Sequence, residues 1–232
     1  MYKTLIVVML ATLAMGCSRG STETADTHEL RDKHVRQMEE LDAKRQATLA
    51  KLGSMDLPAL VSLLEEDAQK MVEPFNSPAY REITKQRRDQ HEALLEQIKE
   101  RKVVSYLPLL ALRAIDPRGY ASLDGSLKVE ALLGAFGRSE SYNMWGLPHL
   151  YWEDAAKAMM ELGEVAVPGL TSYLQDRSPA PVWGSEETAE YEAYQYRRCD
   201  YALAMLMEMR GENVKALPQD PKKRDALISG WK

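Results

Sequence analysis

Residues 154–170 read Asp-Ala-Ala-Lys-Ala-Met-Met-Glu-Leu-Gly-Glu-Val-Ala-Val-Pro-Gly-Leu, and this stretch decides the expected fold. Small apolar residues recur at helical spacing over its first half. Gly163 then permits a break in the chain, and Pro168 suits the first turn of a returning helix. Small side chains also let paired helices approach closely. The stretch therefore predicts two short antiparallel helices packed against each other.

This pattern resembles a HEAT repeat, whose second helix opens with Ala-Val-Pro-x-Leu. Residues 197–206 resemble the first helix of a following repeat, and weaker matches lie at 57–64 and 106–110. Residues 224–231 resemble the closing helix of some exported bacterial HEAT-like proteins. The good match covers residues 150–210. The resemblance implies antiparallel helix pairs forming a short, irregular α-solenoid, which binds other proteins on its surface and catalyses no reaction.

The segments before this stretch also favour helices. Residues 28–52 predict a long N-terminal helix that packs on its own domain or pairs briefly with another chain, and Gly53 ends it. Asp56 can cap a second helix, and a third, highly charged helix is predicted over 77–102. Residues 103–115 are apolar almost all round, which predicts a helix inside the fold. The N-terminal helix has one apolar stripe, formed by Leu30, Val35, Met38, Leu41, Leu49 and Leu52.

The segments around and after the stretch complete an all-α prediction. Residues 116–119 carry a turn signal, and a helix is expected near 123–136. We expect a helix to start at Tyr151, a single long helix capped by Ser185 to run to about Arg210, and a final short helix to start at Asp220. No segment alternates apolar and polar residues over a useful length, so essentially no sheet is expected.

The N-terminus predicts export from the cytoplasm. Lys3 precedes an apolar run over 5–15 that is shorter than a membrane-spanning helix, which is typical of a cleaved signal peptide. Residues 13–17, Leu-Ala-Met-Gly-Cys, resemble the lipobox of bacterial lipoproteins. The resemblance implies that Cys17 becomes the first mature residue and carries acyl chains, such as palmitate, that hold it to a membrane of the bacterial cell envelope, on the periplasmic or extracellular side.

These signals divide the chain into four segments and bound its partners. We expect a signal peptide over 1–16, a flexible polar tether over 17–27, charged helices over 28–102 and a HEAT-like domain over 103–232. After cleavage, 29 basic residues face 35 acidic residues, so the formal charge is −6. This mild acidity does not favour nucleic acid as a partner. Cys199 would then have no cysteine partner, and its helical context predicts burial.

No pattern in the sequence indicates catalysis, a cofactor or a metal. There is no Gly-x-Ser-x-Gly elbow, phosphate loop or paired CxxC motif. His28 and His34 are six residues apart, so their rings would point in different directions from a helix. His149 and Glu153 would share a helix face, but no third ligand accompanies them. Five methionines at helical spacing are expected to fill the core: Met159, Met160, Met205, Met207 and Met209.

Aromatic residues suggest where a partner protein could bind. The segment 139–148 is aromatic and irregular, and a tyrosine series follows the loop 179–184. Exposed aromatics are typical of protein-binding surfaces, although these rings could instead pack between repeats. Two alternatives remain: a ligand pocket or active site near His149, Glu153 and Asp200, or an envelope spacer built from 28–102. The predicted partner-binding residues are Trp145, Tyr151, Trp183, Tyr191 and Tyr194.

Overall fold

The computed structural model describes residues 25–101, 105–184 and 187–231. Over these ranges the protein is mostly helical with almost no strand, which confirms the all-α prediction. The predicted signal peptide, Cys17, most of the tether and the predicted cap Ser185 lie outside the described residues. The chain divides into two compact units, one ending at Thr48 and the other beginning at Leu49.

The described part of the chain contains twelve α-helices, several short 3₁₀ turns and one two-stranded antiparallel sheet. The sheet pairs Gly146 with Trp152 and Leu147 with Tyr151. In chain order the elements are α1 (Ala25–Ser54), α2 (Leu57–Gln69), α3 (Pro78–Gln86), α4 (His91–Arg101), α5 (Tyr106–Ile115), α6 (Pro117–Ser122), α7 (Gly125–Arg138), β1 (Gly146–Leu147), β2 (Tyr151–Trp152), α8 (Asp154–Met160), α9 (Val167–Ser172), α10 (Glu187–Tyr194), α11 (Arg198–Met209) and α12 (Pro221–Gly230).

Helix α1 carries its apolar stripe on an exposed surface. Every residue from Leu30 to Lys51 is exposed, including Leu41 at 59%. Leu52, in the last turn, is buried. The stripe is therefore exposed over residues 30–49, and Leu52 is its buried member.

Helix α5 forms the centre of the first half of the second unit. All seven residues from Tyr106 to Leu112 are buried, as the all-round apolar pattern predicted. Helices α2, α3, α4, α6, α7 and α8 all pack against it. Residues 57–101 thus belong to the same compact unit as α5.

Helix α11 forms the centre of the second half. It is buried from Cys199 to Met207 and packs against α8, α9 and α12. The prediction that Cys199 is buried is confirmed, and burial raises the pKa of its thiol to about 11. The guanidinium of Arg224, from α12, is fully buried and its Nε lies 3.0 Å from Oδ1 of Asp200. This ion pair ties the last helix to the core.

Two predicted helices are interrupted, one of them where a distant loop bonds to its backbone. The helix expected from Ser185 to Arg210 breaks at Gln195, whose φ is 51°. The residues after the break bond to an earlier loop, since Ala180 N–H donates to Tyr196 O and Arg198 N–H donates to Ser178 O. The helix expected over 77–102 is interrupted after Gln86.

Two local predictions were also wrong. Residues 116–119 open α6 instead of forming a turn, because Asp116 accepts a hydrogen bond from Gly119 N–H at 2.9 Å and Pro117 fits the first turn. The helix expected from Tyr151 starts at Asp154, since Tyr151 and Trp152 pair with β1.

Candidate functional site

An open cleft of about 570 Å³ lies on the second unit. Its walls come from the turn before α3, from α3 itself, from the sheet and the start of α8, and from the loop before α10. We call this cleft the aromatic groove. Its lining residues are Glu73, Pro74, Phe75, Tyr80, Arg81, Thr84, Lys85, Asn143, Met144, Tyr151, Glu153, Asp154, Trp183, Gly184 and Glu187.

Two large aromatic side chains line the aromatic groove and remain mostly exposed. Phe75 is 66% exposed and Trp183 is 65% exposed. Large apolar side chains seldom remain so accessible together unless the surface has a function. The aromatic groove therefore presents apolar contact area that the fold itself does not use.

The loop that carries Trp183 is held in place by Asn143. The Asn143 side chain accepts a hydrogen bond from Trp183 N–H at 2.9 Å and donates another to Trp183 O. Nearby, Tyr142 N–H donates to Pro181 O at 2.8 Å. Hydrogen bonds thus fix both the N–H and the C=O of Trp183, while its indole remains exposed. Because this backbone is already ordered, less conformational entropy is lost when a partner binds.

The turn that carries Phe75 is fixed in a comparable way. Pro74–Asn76 forms a single 3₁₀ turn between α2 and α3. Before the turn, Tyr106 O–H from the central helix donates to Val72 O. After it, Ser77 O–H donates to Asp67 at 2.7 Å and its oxygen accepts from Tyr80 N–H. Both aromatic side chains are therefore presented by anchored turns.

The aromatic groove has an excess of acidic side chains. Four carboxylates line it, against the two cations Arg81 and Lys85. Burial raises the pKa of Glu73, and the charge of Glu153 raises it further. Asp154 is partly balanced by Arg113, whose Nη1 lies 3.5 Å away. A partner that brings a positive charge would relieve the repulsion between the carboxylates.

The five predicted partner-binding residues do not form one surface. Tyr151 and Trp183 both line the aromatic groove. Trp145 is fully buried, so its prediction as a contact residue is wrong. Tyr191 and Tyr194 lie on α10, partly buried against the core and away from the groove lining. Tyr194 instead stacks on Tyr196 at 4.9 Å.

The alternative pocket near His149, Glu153 and Asp200 is not assembled. His149 lies in the turn between β1 and β2, where its Nδ1 is 2.7 Å from Glu190. Glu153 precedes α8 and faces the aromatic groove. Asp200 is fully buried and bonded to Arg197. The helix face predicted for His149 and Glu153 is therefore wrong, since neither residue lies within a helix.

Sequence reasoning missed Phe75 and Asn143, which belong to the site. The sequence contained a signal for Phe75: it lies between Pro74 and Asn76, which favour a turn. A large apolar side chain in a short turn is often left exposed. Asn143 had none, since its function depends on a loop that is 40 residues away in sequence. Tyr80 and Met144 also line the groove and were not selected.

Comparisons with protein families, with curated proteins and with solved structures give no match to this chain. Among residues 25–101, 105–184 and 187–231, no helix is both long and apolar enough to cross a bilayer. In the same part of the chain, no three His, Cys, Asp or Glu side chains are grouped to hold a metal ion.

Proposed function

We propose that this protein is an envelope lipoprotein that holds a segment of another protein in the aromatic groove. In this proposal, acyl chains on Cys17 attach it to a membrane on the periplasmic or extracellular side. A polar tether follows, and the helical body acts as a scaffold or adaptor. No enzymatic step and no cofactor form part of the proposal.

The observation that carries the proposal is the pair of exposed aromatic side chains on one cavity. Protein-binding sites depend on a few aromatic anchors that are exposed in the free protein and buried in the complex. Phe75 and Trp183 have this exposure, and Tyr151 adds a partly buried ring beside them. The groove is also open, which suits a chain segment better than an enclosed small molecule.

The HEAT-like arrangement is part of the proposal and has local support. Helix α8, a 3₁₀ turn over Gly163–Val165 and helix α9 follow each other as a repeat would require. Helix α9 then packs against α11, which carries the second repeat-like stretch. A solenoid of such pairs would leave the connecting turns free to carry binding residues.

The spacer alternative receives less support from the packing. It required residues 28–102 to form a long exposed stalk. Helices α2, α3 and α4, which cover residues 57–101 of that segment, pack against α5. Within the described part of this segment, only the exposed residues of α1 are consistent with a stalk.

The groove is tested by crosslinking in the native envelope. A photoreactive residue at position 183 should crosslink to one discrete partner, and Phe75→Ala should abolish that product. A photoreactive residue at position 150 is the matched control, because Leu150 is 59% exposed and lies outside the groove. Equal products from both positions, or a product at 183 that Phe75→Ala leaves unchanged, would reject the groove as the binding site.

The anchor is tested separately. The wild-type protein should incorporate a labelled fatty acid and sediment with membranes, whereas Cys17→Ser should do neither. Cys199→Ser is the matched control, because it removes a buried thiol and leaves the proposed lipid site intact. Membrane sedimentation of Cys17→Ser equal to that of the wild type would reject the lipid anchor.

A further inference from the structure

A second cavity, separate from the aromatic groove, lies where the ends of α5 and α8 meet α6 and α7. Its volume is about 420 Å³, within the range of small-molecule sites. The polar side chains in its lining are Arg113, Tyr120, Lys128 and Glu161. None of these residues belongs to the groove lining.

Lys128 is a buried cation, and no carboxylate among the described residues forms a salt bridge with it. Its side chain is only 6% exposed. The Nζ atom donates to Tyr120 O at 3.2 Å and lies 4.8 Å from the centre of the Tyr120 ring. One of its three N–H donors is thus used. A buried ammonium group with spare donors favours a nearby negative charge.

Tyr120 supplies a second donor that the protein leaves unused. The residue is 5% exposed, and its hydroxyl has no hydrogen-bond partner among the described residues. Buried hydroxyls nearly always have a partner. Burial, followed by the charge of Glu161, raises the pKa of Tyr120 to about 12, so the hydroxyl keeps its proton at neutral pH.

The acidic side chain of this cavity is already engaged. Arg113 donates to both carboxylate oxygens of Glu161, from Nε at 2.8 Å and from Nη2 at 2.6 Å. Such a bidentate ion pair is among the stronger side-chain interactions, and it fixes the orientation of both side chains. The groups that remain free are therefore donors, and the lining carries two cations against one anion.

We propose that this cavity binds a small anion with at least two acceptor oxygens, a carboxylate or a phosphate, between Lys128 and the Tyr120 hydroxyl. One oxygen accepts from the ammonium group and another from the phenol. This inference does not depend on the groove or on the lipid anchor.

The test titrates the full-length protein, purified in detergent, with inorganic phosphate and, separately, with succinate. Heat of binding and thermal unfolding are both recorded. At least one of the two anions should bind and raise the unfolding temperature, and its identity tells a phosphate site from a carboxylate site. Lys128→Met should abolish binding, whereas Lys223→Met, at an exposed lysine on α12, should leave it unchanged.

Tyr120→Phe keeps the test decisive if Lys128→Met fails to fold. It should weaken binding about tenfold, the effect of one hydrogen bond to a charged group, and leave the unfolding temperature of the anion-free protein unchanged. No binding of either anion at millimolar concentration overturns the proposal. So does binding that is equally strong in the wild type, Lys128→Met and Tyr120→Phe.

Discussion

At the scale of single residues, two tryptophans occupy opposite environments. Trp145 is fully buried, donates its indole N–H to Ser139 Oγ at 3.1 Å, and packs edge-on against Phe136 at 5.1 Å. Trp183 is 65% exposed, and its described hydrogen bonds use its backbone. The same residue type thus contributes to stability at one site and is available for binding at the other.

This contrast gives a matched pair of variants. Trp145→Ala should lower the free energy of unfolding by about 3–5 kcal/mol, because it leaves a large cavity and removes the hydrogen bond from the indole to Ser139 Oγ. Trp183→Ala should change it by less than about 0.5 kcal/mol, since little of the ring is buried. Chemical denaturation followed by circular dichroism measures both. Similar losses in the two variants would contradict the assigned environments.

At the scale of elements, α11 is flanked on both sides by a residue with left-handed backbone conformation. Gln195, before α11, has φ 51°, and Gly211, just after it, has φ 70°. Glycine adopts this conformation without cost, whereas other residues are strained by about 1 kcal/mol. A methyl group added at Gly211 would meet open space, so only backbone conformation decides the effect of an alanine there.

The two positions should therefore respond in opposite directions. Gln195→Gly should raise the free energy of unfolding by up to about 1 kcal/mol, and Gly211→Ala should lower it by about 1 kcal/mol. Thermal unfolding of both variants, with helix content checked by circular dichroism, measures this difference. A loss of stability in Gln195→Gly would show that the break before α11 depends on more than the conformation of residue 195.

The elements also show what sequence can predict. Helix α5 was predicted because seven consecutive buried residues leave a local pattern, and α2 because Asp56 caps its own following turn. The break before α11 was not predictable in this way. It depends on hydrogen bonds from residues 196–198 to the loop 178–180, and that pairing leaves no periodic signal. The aromatic groove was only half predicted for the same reason, because turns distant in sequence assemble it.

At the scale of the whole molecule, buried tyrosines link stability to alkaline pH. Burial is the main reason why the pKa of Tyr80 is raised to about 12. Burial also raises the pKa of four other tyrosines above the ordinary value: Tyr106, Tyr142, Tyr196 and Tyr201. An unfolded chain releases these protons near pH 10, while the folded chain retains them. Their contribution to stability is therefore complete below pH 10 and is lost as pH rises from 10 towards 12.

We expect a cooperative alkaline unfolding transition in this window. Tyrosinate absorbance and helical circular dichroism should change together during a pH titration. In concentrated denaturant, the same absorbance should follow a simple titration near pH 10, which is the control. Ionisation of all tyrosines near pH 10 with unchanged helix content would contradict the burial of these hydroxyls.

The burial of Cys199 has a practical consequence for watching this protein move. If Cys17 is acylated, Cys199 is the sole remaining thiol, and a water-soluble reagent can reach it only when α11 separates from its neighbours. The rate of thiol labelling under native conditions would then count openings of the molecular interior. The labelling rate of this buried thiol thus reports on core opening without a cysteine having to be introduced by mutation.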